Sequence, residues 1–372
     1  MAFKFFKKKS AQNEEKKSSG KYRSLRVKDI IRETKDAITI VFDHADNIKY
    51  KSGQFLTLIL NIEGKEVRRA YSLCSSPFVD ANLAVTVKRV DQGLVSNWLN
   101  ENLKVGDSIK VMDPMGSFTT EYDPDSKRHL IMFAGGSGIT PLMSIIKSIL
   151  LKEPESIISL IYCNRDIDSI IFKDELDKWQ TDHEGRLRVI HILDDAPMNW
   201  QGHSGLLTHD MLVKIFERLP DWGSEHTTYL MCGPEGMMKN VQLILEEQQI
   251  PSSNIFKESF VAGTIDKEIK DTAAPVDESA ITEQEVTVIY DGEEHKFTVS
   301  PDSTILETAL DLGIDLPYSC QSGLCTACRG KCLSGKVKLD EEEGLSDAER
   351  EEGYVLTCVG HPLTDDVVIE IG

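Results

Sequence analysis

What the 372-residue chain lacks already narrows its class. It has no apolar run able to cross a bilayer: its most hydrophobic stretch, residues 130–151, is broken by Gly135, Gly136, Gly138, Pro141 and Lys147. The opening residues, MAFKFFKKKS, lack the apolar core of a secretory signal, so the expected location is cytoplasmic. Basic charge is scarce. Forty-two Lys and Arg against 61 Asp and Glu leave a net charge of −19, and phosphate repulsion then argues against bulk nucleic-acid binding. None of the nine histidines falls in a catalytic motif, and no Ser–His–Asp arrangement is evident. Glycine and proline, 25 and 13, are present in ordinary amounts, which excludes a fibrous or wholly disordered chain.

The length predicts two or three domains. Residues 1–21 form a Lys- and Ser-rich tail with Phe3, Phe5 and Phe6, expected to be solvated. Its sharper reading is a weak membrane-surface or partner-docking arm. From 22 to 125 short β-rich segments such as AITIVFD, FLTLIL, VRRAYSL and DSIKVM, separated by turn residues, predict a six-stranded antiparallel β-barrel. From 126 to 261 the rhythm changes to HLIMFA, SLIYC, RVIHIL and TTYLMC with helical spacing between them, a doubly wound parallel α/β domain. Residues 262–283, polar and aperiodic with Pro275, read as a linker. Residues 284–372 form a third, α+β unit, in which Thr304 and Glu307 are placed as a capping box and Gly313 as a helix stop.

Cysteine is the strongest signal. Five of eight cysteines fall in 320–358, and Cys320-x4-Cys325-x2-Cys328 with Cys358 thirty residues on has the plant-type 2Fe-2S spacing. Three thiolates on one tight loop fix a cluster at low conformational cost, and a fourth from a distant segment closes the cage. Structural zinc is the competing reading, but it favours two paired Cys-x2-Cys units, and only one is present. Cys332, inside KCLSGKVKL, reads as a small buried residue on one strand. His129 and His191 read as strand positions and His361 as a turn before Pro362.

QSGLCTACRGKCLSG with LTC at 356–358 resembles the ferredoxin module of multicomponent oxygenase reductases. The chain from 22 onward resembles ferredoxin–NADP reductase-type oxygenase reductases, such as those serving phenylacetyl-CoA epoxidase and ketosteroid hydroxylase. That resemblance implies a β-grasp fold for the third unit, and FAD, a 2Fe-2S cluster and NADPH or NADH as cofactors. Arg69-x-Tyr71-Ser72 is similar to the family's flavin signature: Arg69 for phosphate, Tyr71 to stack and Ser72 toward the reacting edge. The strand is expected to carry Arg69 outward and Tyr71 inward. Lys88, then Gly93, Val95 and Ser96 opening a helix, suit a pyrophosphate and favour FAD over FMN, with Gly116 in a turn beside the flavin.

Gly135-Gly136-Ser137-Gly138-Ile139-Thr140-Pro141 follows a strand and opens a helix, suiting close approach to a dinucleotide. It resembles the family's GGxGITP segment, which would put Thr140 near flavin and nicotinamide. Cys232-Gly233-Pro234 ends another buried strand, and the family places such a cysteine beside the nicotinamide. Ser72 and Cys232 are the candidate catalytic residues, and Phe260 is placed to cover the flavin. Arg165 and Asp166 leave NADPH against NADH open.

Nicotinamide yields two electrons together and a cluster accepts one at a time, so flavin must lie between them. The expected activity is an NAD(P)H-dependent oxidoreductase feeding a protein acceptor, an oxygenase or desaturase component. The alternatives are a non-oxygenase acceptor, such as a hybrid-cluster protein, and a redox-sensing binding module. The acidic residues Asp340, Glu341, Glu342, Glu343, Glu349, Glu351 and Glu352 offer a face for steering toward a basic partner.

Overall fold

Alternation of apolar and polar residues through the first unit builds strands that bury one face. The computed structural model describes residues 22–43, 48–260 and 282–372. The basic head with its expected membrane contact, and all but the end of the expected linker, lie outside the described residues. Strands β1 (Tyr22–Thr34), β2 (Ala37–Phe42), β3 (Phe55–Ile62), β4 (Lys65–Ser72) and β5 (Ala84–Lys88) precede helix α1 (Leu94–Asn102) and strand β6 (Ser108–Met112). They form one antiparallel sheet in the order β4-β3-β6-β1-β2-β5. A bridge between Leu73 and Val85 links its two ends and closes the barrel. Leu56, Leu58, Ile38, Ile40, Val85 and Val111 fill the interior, and α1 adds Val95 and Leu99.

Because strand side chains alternate with period two, Arg69 and Tyr71 share a face, contrary to the expected out-and-in arrangement. They pair with the core-facing Leu58 and Leu56. The opposite, outer face of β4 carries Arg68, Ala70 and Ser72, and both Arg68 and Ser72 are buried.

The second unit runs β7 (His129–Gly135), α2 (Ile139–Lys152), β8 (Ile157–Asn164), α3 (Lys173–Asp182), β9 (Leu187–Leu193), β10 (His203–Ser204), α4 (His209–Phe216), β11 (Thr227–Gly233), α5 (Glu235–Glu247) and β12 (Ile255–Ser259). All its strand pairs are parallel, in the order β10-β9-β8-β7-β11-β12. Chain order therefore reverses at β7, and the crevice at that switch point is where such sheets bind ligands. Helix α2, apolar nearly all round, is buried between sheet and barrel. Its Lys147, 8% exposed, pairs with Asp80 of the barrel and Glu175 of α3. The Ser148 hydroxyl lies 2.5 Å from that of Ser52 and 2.8 Å from that of Ser76.

The third unit comprises β13 (Gln284–Tyr290), β14 (Glu293–Val299), α6 (Ile305–Asp311), β15 (Arg329–Ser334), β16 (Val337–Leu339), α7 (Asp347–Glu351), β17 (Tyr354–Leu356), β18 (Gly360–Pro362) and β19 (Val367–Ile371). Five strands form a mixed sheet, β14-β13-β19-β15-β17, over α6. The Thr304–Glu307 capping box opens α6, and Gly313 at φ 77° follows its end. KCLSGKVKL is two strands, not the single one expected. Gly335 at φ 79° turns the chain between β15 and β16, which belong to different sheets. His361 sits within β18 rather than in a turn, because β18 pairs with β16, and its Nε2 meets Asp340 at 3.0 Å.

Candidate functional site

The parallel ladder sets the site's first half. Register places Cys232 beside Ala134 on one side and beside Glu258 on the other. The glycine turn after β7 therefore abuts the Cys-Gly-Pro turn after β11. Gly138 packs so closely on the Cys232 carbonyl that a methyl group would overlap it, and a Cβ on Gly233 would lie 2.8 Å from the Gly135 nitrogen. Gly136 adopts φ 52° and opens a 3-10 turn with no side-chain cap that runs into α2. There the Ile139 N–H already donates to the Gly136 and Ser137 carbonyls, so the uncapped N–H groups that suit an anion are those at the start of the turn. The Thr140 hydroxyl donates to the Ser137 carbonyl at 2.9 Å, bracing the turn.

The barrel supplies the second half. Lys88 at the end of β5 reaches the turn, its Nζ 3.4 Å from where a Gly136 Cβ would stand. Helix α1 starts at Gly93 with no side-chain cap; the Ser96 hydroxyl instead accepts from the Val90 N–H at 3.0 Å. Gly116 at φ 119° lies against the Phe55 ring, where a Cβ would approach to 3.1 Å. Arg69 is exposed and Tyr71 partly buried on one face of β4. Two open helix starts, an exposed guanidinium and an ammonium suit the phosphates of a flavin and a nicotinamide dinucleotide. Val95 is a core residue of α1. Arg165 is exposed and donates to Asp166 at 3.2 Å, while Asp166 also caps a short turn by accepting from the Ser169 N–H at 2.8 Å. Phe260, 39% exposed, follows β12.

The two halves meet where the Ser72 hydroxyl donates to Glu258 at 3.3 Å. Glu258 is the functional candidate that residue patterning misses. It lies within Glu-Ser-Phe at the end of β12, where sequence alone does not tell a solvated carboxyl from a covered one. Burial pushes its carboxyl up to about 8, against the lowering effect of Ser72. Burial also raises the Cys232 thiol far above the ordinary value, with Glu258 adding to it, so this cysteine is a neutral wall rather than a nucleophile.

Glu258 gives a pH prediction. From 4.5 to about 8 the native carboxyl keeps a proton that the unfolded chain has released. Raising the pH through that window therefore favours unfolding. Glu258→Gln should flatten this fall in flavin-free protein, gaining about 2 kcal/mol at the alkaline end, well below the full-shift value because the residue keeps some solvent contact. Urea midpoints measured across the window test it. Parallel curves for the two proteins would refute the assignment.

The third site is the cysteine loop. Left-handed Gln321 (φ 56°) and Gly323 (φ 73°) bend it sharply, and the Gly323 carbonyl accepts from the Gly344 N–H at 2.9 Å. Cys320 neighbours Cys325 and Cys358, and Cys358 neighbours Cys328. The Cys325 and Cys358 thiols drive the Cys320 thiol down, and the Ser322 N–H donates to its sulfur at 3.4 Å. The thiols form two contacting pairs, Cys320–Cys325 and Cys328–Cys358, joined through Cys320 and Cys358, and four thiols so linked suit a cluster of two irons. Among the described residues no group of three is set to hold a single ion. The Ser319 hydroxyl, buried beside Cys320 with no protein partner, suits a cluster sulfur. Cys332 stands apart, only partly buried rather than buried as expected, and donates to the Ser334 carbonyl at 3.2 Å. Much of the acidic face is paired within the module: Asp340 with His361, Glu342 with Arg350, Glu349 with Arg329.

Comparison with known proteins matches these three units to three family models. Residues 24–120 match an oxidoreductase FAD-binding domain, 132–243 an oxidoreductase NAD-binding domain, and 288–363 a 2Fe-2S iron-sulfur cluster binding domain. The chain is thus an oxidoreductase that uses FAD, a nicotinamide dinucleotide and a 2Fe-2S cluster. It is 37% identical to the ferredoxin reductase component of 3-ketosteroid-9-alpha-monooxygenase from Rhodococcus rhodochrous, over 93% of this chain and 96% of the relative. It is 32% identical to one of the subunits of 1,2-phenylacetyl-CoA epoxidase from Escherichia coli strain K12, over 94% and 97%. The solved phthalate dioxygenase reductase shares its fold, with a TM-score of 0.57 at 23% identity over 94% of this chain and 98% of that one. Among the described residues no helix is long and apolar enough to cross a membrane.

Proposed function

We propose that this chain, which belongs to the family of oxygenase reductase components with FAD-, NAD- and 2Fe-2S-binding domains, feeds electrons from NADH or NADPH to a protein acceptor, an oxygenase or desaturase component, in the cytoplasm. The observation that carries this reading is the convergence of Ser72 of the barrel with Glu258 and Cys232 of the parallel sheet, while the four-cysteine module rests on the same barrel. Bound flavin supplies the conversion of a paired electron input into single-electron output.

In this reading the units are a barrel at 22–125, a nucleotide domain at 126–261, a linker at 262–283 and a ferredoxin module at 284–372. Arg69, Lys88 and the start of α1 at Gly93, Val95 and Ser96 hold the FAD phosphates, with Tyr71 against its ring and Gly116 beside it. Gly135, Gly136, Gly138, Thr140, Gly233 and Pro234 shape the dinucleotide crevice, and Arg165 lies at its ribose end. Ser72 and Cys232 flank the point of hydride transfer and exclude water from it, and Phe260 covers the ring. Cys320, Cys325, Cys328 and Cys358 hold the cluster.

Purified protein is expected to contain iron, acid-labile sulfide and FAD. Anaerobic NADH or NADPH should bleach flavin and cluster in turn and drive catalytic reduction of cytochrome c. Zinc in place of iron, no bound flavin, or cluster reduction without turnover would overturn the reading.

A further inference from the structure

The outer face of β4 carries a residue that barrel construction does not require. Arg68 is only 7% exposed, yet it lies outside the barrel core, where an uncompensated charge is costly. What covers it is the ferredoxin module. Its guanidinium donates to Asp315 at 3.3 Å and stacks 4.2 Å from the centre of the Tyr318 ring, two residues before Cys320. Tyr22 of β1 joins the cluster, donating to Asp315 at 2.6 Å and accepting from Arg68 at 3.3 Å. Glu66 holds the fork from the barrel side, accepting from Nε at 3.0 Å and from Nη2 at 2.9 Å. Burial disfavours the Arg68 charge, but its surroundings, with the Glu66 and Asp315 carboxylates on its fork, more than offset it.

Position makes this contact more than an interface. Arg68 and Ser72 lie on one face of one strand, four residues and about 13 Å apart. Ser72 meets Glu258 of the nucleotide domain, and Arg68 meets the loop that leads into the first cluster cysteine. The strand between them bears Arg69 and Tyr71. Electron transfer falls exponentially with distance, so whatever seats the Asp315–Cys320 loop on β4 sets the rate of the internal step.

We propose that Arg68, with Tyr22, Asp315 and Tyr318, is a latch that positions the ferredoxin module on the flavin strand and governs flavin-to-cluster transfer without taking part in hydride transfer. The proposal rests on the functional reading above. Arginine suits the task because its planar fork bonds two carboxylates while its face stacks on an aromatic ring, which lysine cannot do.

The test is anaerobic stopped-flow on the holoprotein, resolving flavin reduction by NAD(P)H from the later reduction of the cluster. Arg68→Gln, and from the module side Asp315→Asn and Tyr318→Leu, should leave the first phase unchanged and slow the second. The expected loss is about tenfold for Arg68→Gln, the scale of a buried charge-assisted bond, with Arg68→Lys recovering part of it. Amide hydrogen exchange should rise around 314–319 and along β4 in the same variants, a readout independent of turnover. Wild-type second phases with unchanged exchange would overturn the latch. A first phase that falls in step with the second would also overturn it, placing Arg68 in the flavin site instead. If wild-type protein itself passes no electrons from flavin to cluster, the functional reading fails first, and the two failures are told apart.

Discussion

Cys325→Ala is expected to abolish the cluster while leaving nicotinamide-to-flavin reduction at its wild-type rate. Cys325 pairs with Cys320, and that neighbouring thiol, together with burial, holds its proton when no metal is bound. Removing it leaves one iron with a single thiolate. Loss of a mere second-sphere partner at a metal site costs about 10- to 100-fold, so loss of a ligand should cut single-electron output by at least about 100-fold. Iron should fall from two atoms per chain to near zero, read by metal analysis and by loss of the visible cluster bands. Cys332→Ala is the control, because its thiol faces the Ser334 carbonyl and belongs to neither contacting pair. It should keep its iron. The cores of the barrel and the parallel sheet include no residue of the cluster module, so hydride input has no reason to suffer. If flavin reduction vanishes too in protein that remains folded, the three units do not act as separable modules.

Legibility in the sequence follows how local each determinant is. The proposed cluster ligands can be read because three of them occupy nine consecutive residues, and the loop that carries them bends at Gln321 and Gly323, both at positive φ. Barrel and parallel sheet can be read because period two and buried β-runs are written residue by residue. Arg68 escapes notice beside Arg69. In a strand pattern both read as solvated cations, and only the packing of Asp315 and Tyr318, far along the chain, distinguishes them. Glu258 escapes for the same reason, since its covering comes from Ser72 of another domain. The acidic run at 340–343 reads as a face aimed at a partner, yet the Glu341 carboxyl accepts from the Glu342 and Glu343 N–H groups, Glu342 holds Arg350, and Asp340 meets the His361 imidazole of the same module. Charge is legible from composition; the address of a charge is not.

The glycine turn offers the sharpest structural test, because its tolerance for a methyl differs from one glycine to the next. At Gly138 the added carbon would overlap the Cys232 carbonyl and come within 2.9 Å of the Gly233 nitrogen. Both neighbours are backbone on a central strand, so relief requires β7 and β11 to part at their C-terminal ends. That shift would carry Cys232 away from Ala134 and open the crevice at the switch point. Gly138→Ala should therefore cost about 3 kcal/mol, the upper end for overpacking, and weaken nicotinamide binding by about 100-fold. Gly135→Ala should cost less, since the atoms it would strike are the Pro234 ring and the flexible Met237 side chain, where relief is cheaper. Gly236, in the first turn of α5 with nothing within 4 Å, is the opposite case. Gly236→Ala should be neutral or stabilise by up to about 1 kcal/mol by restricting the unfolded chain. Denaturation midpoints and nicotinamide titrations on the three variants should rank them in that order. Equal behaviour of Gly138→Ala and Gly236→Ala would mean that the two turns do not touch, and the site assembled from them would not exist.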